Sequence, residues 1–143
     1  SSLQAIQMNE LLQVITATTV AEIPVVLVGD FNSSPDDLPF ESAFGLGILY
    51  PPYLQAVGTG YSDLWLSKKK PKDGFTCCFS ATVSDEDAEL YQRIDHIFID
   101  AKGREIAKLK AKVLGDSNAD MTDESGLNPS DHAGVFGKIK LVK

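Results

Sequence analysis

Apolar positions in this chain fall into two periods, helical at the start and strand-like further on. In LQAIQMNELLQVITATTV, from Leu3 to about Val20, residues Met8, Leu11, Leu12 and Ile15 recur at helical spacing. Gln7, Asn9, Glu10 and Gln13 flank them, so the segment is expected to be an amphipathic helix packing on another layer. After Pro24 the run Val25-Val26-Leu27-Val28 is uniformly apolar and closes on Gly29-Asp30, as suits a strand covered on both faces. Short helices are expected over Asp36 to Phe44 and over Pro51 to Ala56, the second with proline at its start. Strands are expected over Phe75 to Ser80, Gln92 to Ile99, Glu105 to Leu114 and Ala133 to Val142. In the third of these, Lys108, Lys110 and Lys112 alternate with Ala107, Leu109, Ala111 and Val113, giving one wet face. In the last, Val135, Ile139 and Leu141 share a side.

The fold class that follows is α/β in the α+β sense: one layer of helices over a mixed, largely antiparallel sheet. A covering problem comes with it. Val25, Leu27, Ile94 and Phe98 leave few polar positions for a solvent-facing sheet surface, yet the helices cover one face only. Cover from outside the chain is therefore expected.

With 143 residues and 43% apolar content, the chain has the size of one domain and enough material for a core. No apolar run reaches the roughly 18 residues of a membrane span. The formal net charge of −7 repels polyanions at long range and disfavours sequence-specific nucleic-acid binding. The basic run Lys68, Lys69, Lys70, Lys72 is read as a solvated loop. So is the acidic stretch with Asp116, Asp120, Asp123 and Glu124, whose spacing matches no EF-hand loop. Cys77 and Cys78 are adjacent; as strand neighbours they point to opposite faces, which argues for two half-buried thiols and against a disulfide. The sequence does not indicate a compartment.

Three clusters at strand ends carry candidate chemistry: Gly29-Asp30-Phe31-Asn32, Arg93-Ile94-Asp95-His96 and Ser130-Asp131-His132. Asp30 and Asn32 are expected to point the same way, where together they can hold a water and a phosphate oxygen. Asp131 offers a carboxylate to a metal, and His132 a proton or hydrogen bond to an oxyanion, with Asp95 the natural acceptor for its other nitrogen. Each piece has an ordinary structural reading as well. Asp-x-Asn suits a turn or helix cap, Asp131 a turn after Pro129, His132 a satisfied surface residue, and His96 a packed strand residue.

In order and placement, Val26–Asn32, Gln92–Phe98 and Pro129–Val135 resemble the three C-terminal signature motifs of the DNase I-like endonuclease/exonuclease/phosphatase superfamily. Tyr61-Ser62-Asp63-Leu64-Trp65 is similar to that family's D-x-W strand, and Gly74-Phe75-Thr76-Cys77-Cys78 to a stretch of uncharacterised bacterial members. The resemblance implies a four-layer sandwich of two sheets with helices outside, of which residues 1–143 make the C-terminal half as a single domain. It implies phosphoester hydrolysis with Mg²⁺ or Mn²⁺. Asp30 would orient or deprotonate the attacking water, Asn32 bind the phosphate, Asp131 contact the metal or its waters, and His132, oriented by Asp95, donate to a phosphate oxygen. The family's N-terminal half normally supplies an Asn, a metal-binding Glu and a His. Without them the metal site is expected to be weak or absent and the chain inactive alone, with the missing half or a second copy as partner on the bare sheet face. Two alternatives stay open: a non-catalytic, self-associating interaction domain, and, among enzymes, a nuclease against a lipid or small-molecule phosphodiesterase.

Overall fold

The computed structural model describes residues 1–84, 89–122 and 124–142. Helix α1, Ser2–Thr18, starts in a capping box: the Ser1 hydroxyl accepts from the Gln4 backbone N–H, and the Gln4 side chain returns to Ser1. It buries Ala5, Met8 and Leu12, while Leu11 is exposed. The expected stripe is thus narrower than its spacing suggested, because Leu3, Leu11 and Val14 give the helix a second apolar side.

Strand β1, Val25–Asp30, pairs antiparallel with β5, Asp95–Asp100, which pairs with β4, Ser62–Asp63. The order β1-β5-β4 leaves β1 at an edge of this sheet. Helix α2, Pro52–Gly58, begins at proline as expected. Met8 and Leu12 of α1 meet Tyr53 and Ala56 of α2, Leu27 of β1 and Phe98 of β5 in the main core. Both helices therefore lie on one face of the sheet. Strands β6, Glu105–Leu114, and β7, Gly134–Val142, form a long antiparallel hairpin. Every ladder between named strands among the described residues is antiparallel.

Three expectations change. Over Asp36 to Phe44 there is no helix; the chain turns and then forms the small hairpin of β2, Phe40–Glu41, and β3, Ile48–Leu49. Pro39 lies inside that segment, where it removes a helical N–H and clashes with the preceding turn. The segment Phe75 to Ser80 makes isolated bridges at Cys77, to Gln92 and to His132, rather than a regular strand. In β6 a bulge between Ile106 and Lys108 shifts the alternation, so Ala107 is exposed and Ile106 half-buried.

Residues opposite one another across a ladder share a face. In the β1–β5 register, Leu27↔Phe98 and Gly29↔His96 face the helices, whereas Val26↔Ile99, Val28↔Ile97 and Asp30↔Asp95 face away. On that second face β7 approaches β5 closely. A Cβ at Gly137 would collide with Leu64 and Ile97, which is why a glycine interrupts the apolar side of β7. Val26 and Val28, nearer the edge, are 49% and 68% exposed. No helix of the described residues is long and apolar enough to cross a membrane.

Candidate active site

Strand alternation sorts the polar residues of β1 and β5 into two sets with different chemistry. On the face away from the helices, the last register pair brings Asp30 against Asp95. The backbone continues the pairing one step further, Phe31 N–H donating to the Ile94 carbonyl at 2.9 Å, so the loop leaving β1 is tied down. Asn32, at φ 47° in the left-handed region that asparagine tolerates, folds back on Asp30. Its backbone N–H reaches Asp30 Oδ1 at 2.7 Å and its side-chain amide reaches Oδ2 at 2.9 Å. Asp30 and Asn32 thus form the turn that their spacing favours, with both side chains exposed at the strand end.

His132 arrives from the other direction. The segment around Cys77 lies between the chain entering β5 and the chain leading to β7: Cys77 N–H donates to Gln92 O at 2.9 Å, and Ala133 N–H to Thr76 O at 2.8 Å. The Thr76 hydroxyl, fully buried, accepts from Ile94 and Asp95 N–H at 3.3 and 3.2 Å. This wedge holds His132 against β5, and its Nδ1 lies 2.9 Å from Asp95 Oδ2. Ligating atoms of Asp30, Asp95 and His132 all lie within 4.8 Å of one another. Asp131 is not in that group. Its carboxylate is exposed and takes a hydrogen bond from the Ser130 hydroxyl at 3.2 Å. The structure therefore brings together Asp30, Asn32, Asp95 and His132 and leaves Asp131 at the rim.

Behind this cluster, on the helix face, is a buried polar network. Asp63 Oδ2 pairs with Arg93 Nη1 at 2.7 Å and accepts from the Tyr53 hydroxyl at 3.0 Å; Asp63 Oδ1 accepts from Trp65 N–H at 2.8 Å. Arg93 Nη1 also donates to His96 Nδ1 at 3.0 Å, so that nitrogen is an acceptor and Nε2–H donates to the Ser33 carbonyl at 2.7 Å. The Ser33 hydroxyl in turn accepts from Tyr53 N–H at 3.1 Å. Ser33 follows Asn32 directly, so His96 anchors the loop carrying Asp30 and Asn32. His96 packs among Phe31, Tyr53 and Phe98, in keeping with its reading as a packed residue. The sequence placed Asp63 and Arg93 within motifs but gave no sign that they pair.

Burial holds the His96 pKa below its ordinary value, the Arg93 guanidinium adding to the shift and the Ser33 carbonyl opposing it. The unfolded chain then binds a proton that the folded chain resists, so unfolding free energy falls as pH drops below the ordinary histidine value of 6.5. His96→Gln is expected to flatten that slope between pH 7 and about pH 5.5. Urea titrations across the window check it, and an unchanged slope would show that His96 titrates freely. Burial first, and Asp63 second, push Tyr53 up to about 12, so its phenol remains a donor at neutral pH.

Two further polar runs have structural roles. Lys68 lies over the Trp65 ring, 3.7 Å from its centroid, so the basic run is partly packed. In the acidic loop Asp120 accepts from the Ser117 hydroxyl at 2.8 Å, and Asp123 lies outside the described residues. Cys77 and Cys78 depart from expectation: their sulfurs meet as a vicinal disulfide. With only isolated bridges at Cys77, the segment lacks the regular pleat that would have separated them.

The sequence profile of the Endonuclease/Exonuclease/phosphatase family matches residues 2–132, spanning all three clusters. The chain belongs to this family. Its fold also matches a solved structure described as truncated Caenorhabditis elegans TDP2, with a TM-score of 0.54 and 14% sequence identity. That match covers 96% of this chain and 46% of the TDP2 chain, so this chain spans about half the length of that relative. No curated protein matches at a significant level. The DNase I-like fold implied by the motifs is thereby established.

Proposed function

We propose that this chain carries the acid–base and phosphate-binding side of a divalent-metal phosphodiesterase site, as the C-terminal half of an endonuclease/exonuclease/phosphatase domain. The observation that carries this reading is the Asp95–His132 pair at 2.9 Å with Asp30 beside it at the strand end. Asp95 accepts from Nδ1–H and orients the imidazole, so that the protonated ring presents Nε2–H to a phosphate oxygen as negative charge builds there. Asp30, held by both N–H groups of Asn32, accepts the proton of a water attacking in line with the leaving oxygen. Asn32 sets that carboxylate's orientation and offers its remaining N–H to the phosphate.

The donor set has a bearing on the metal. Mg²⁺ demands six oxygen ligands, and only Asp30 and Asp95 supply clustered carboxylates, both already hydrogen-bonded. These residues fit a partial shell. Asp30 and Asp95 would hold Mg²⁺ or Mn²⁺ in part, Asp131 at the rim would reach it only through waters, and the ion would neutralise phosphoryl oxygens. The remaining ligands would come from another segment or from substrate, so weak activity is expected of this chain by itself.

The exposed Val26 and Val28 on edge strand β1 support a second reading, in which this face is covered by the other half of the domain or by a second copy. The net charge of −7 favours a small or lipid phosphodiester over a polyanion. The test compares the natural full-length protein and this chain in Mg²⁺, with bis(p-nitrophenyl) phosphate and with duplex DNA as substrates. Hydrolysis of the small diester by the former, falling at least tenfold in the latter, is expected; full activity of this chain alone would reject the shared site.

A further inference from the structure

The Cys77–Cys78 pair is unused by the chemistry above, yet it lies against the site. The sulfurs of Cys77 and Cys78 and a ring nitrogen of His132 are all within 4.8 Å of one another. Backbone pairing fixes this proximity, since Cys77 bridges directly to His132. We propose that Cys77, Cys78 and His132 form a binding site for a thiophilic divalent cation, zinc being the type case, that exists only when the two cysteines are reduced.

As a disulfide the sulfurs are poor ligands. A dithiol reductant opens it by giving up two electrons and two protons; its own sulfurs become a disulfide, and Cys77 and Cys78 become thiols. On metal binding each thiol releases its proton, and two thiolates and one imidazole surround the ion. A tetrahedral zinc with bonds of about 2.0–2.3 Å needs its donors roughly 3.5–3.8 Å apart, so the two sulfurs, bonded to each other when oxidised, move apart on reduction while the imidazole stays within reach. Asp95 holds His132 Nδ1 and leaves Nε2 for the metal, the carboxylate–imidazole arrangement that orients metal-ligating histidines. Cys77 is buried, whereas Cys78 and His132 are half-exposed, so the ion has a path in and room for a water or substrate oxygen as fourth ligand. Thiolate donors select against the hard Mg²⁺. The site thus differs in ligands from the carboxylate cluster while sharing His132. Its consequence for hydrolysis rests on the function proposed above: an ion on Nε2 takes the nitrogen that serves the phosphate.

Cadmium titration of the reduced chain under anaerobic conditions reads binding directly, through the ultraviolet thiolate-to-cadmium charge-transfer band, and zinc affinity follows from chelator competition. The expected result is a band saturating at one equivalent, absent from the oxidised chain and unaffected by excess Mg²⁺. Cys78→Ser is expected to lose about half of the band, and His132→Ala to keep the band but weaken zinc at least tenfold. No band in the reduced, folded chain, or unchanged zinc affinity in His132→Ala, overturns the proposal. In the full-length protein, zinc is expected to inhibit the reduced form and spare Cys78→Ser. A normal band in a protein without hydrolytic activity would instead count against the phosphodiesterase reading and leave the metal site standing.

Discussion

Arg93→Met is expected to lower the unfolding free energy by about 3–5 kcal/mol, among the largest single-residue losses available in this fold. Arg93 and Asp63 have side chains only 5% and 3% exposed, joined at 2.7 Å. Removing the guanidinium leaves a buried carboxylate with two neutral donors, the Tyr53 hydroxyl and Trp65 N–H, and no counter-charge. It also removes the donor to His96 Nδ1 and so loosens the anchor on Ser33. Urea denaturation should show a lower midpoint with little change in slope. Adding Asp63→Asn to Arg93→Met should recover part of the loss, because the charge left behind disappears. A shift under about 1 kcal/mol would show that the pair behaves as a solvated surface contact.

Hydrolysis should respond most to the other face. In the complete domain proposed above, His132→Ala and Asp30→Asn are each expected to lower kcat by about 10²–10⁴-fold, the usual contribution of a positioned acid or base, while leaving stability nearly unchanged. Both side chains lie at a strand end rather than in the core, which is why the two effects should separate. Asp95→Asn should cost about as much as His132→Ala, since the amide keeps the ring in place but can hold it in the wrong tautomer. Survival of hydrolysis in both His132→Ala and Asp30→Asn would remove this cluster from the chemistry.

The parts legible in sequence were those whose signal is local. Uniformly apolar Val25–Val28 and the alternation around Lys108–Lys112 mark strands that the structure contains, and the proline at Pro52 marks a helix start. The cluster of Asp30, Asn32, Asp95 and His132 was legible because each motif lies at or beside a strand end, Asp30 closing β1, Asp95 opening β5 and His132 preceding β7. Signals that depend on tertiary pairing were not. Asp63 and Arg93 meet only because β4 lies beside β5, thirty positions apart in the chain. Leu11 has helical spacing but lies off the buried stripe, and Pro39 outweighed the helical character of its neighbours. Asp131 adjoins His132 in sequence, yet successive residues diverge and its carboxylate turns to solvent.

Strand β5 serves both faces by alternation, Asp95 and Ile97 to one side, His96 and Phe98 to the other. An inserted or deleted residue between Ile94 and Phe98 would exchange the two sets, placing a site carboxylate among aromatic rings and a core phenylalanine at the mouth of the site. A change in the length of this strand would therefore cost both core and site at once. Changes of substrate preference are better accommodated in the connections at residues 34–39, 66–75 and 115–127, which can gain or lose residues without reversing the strand between them.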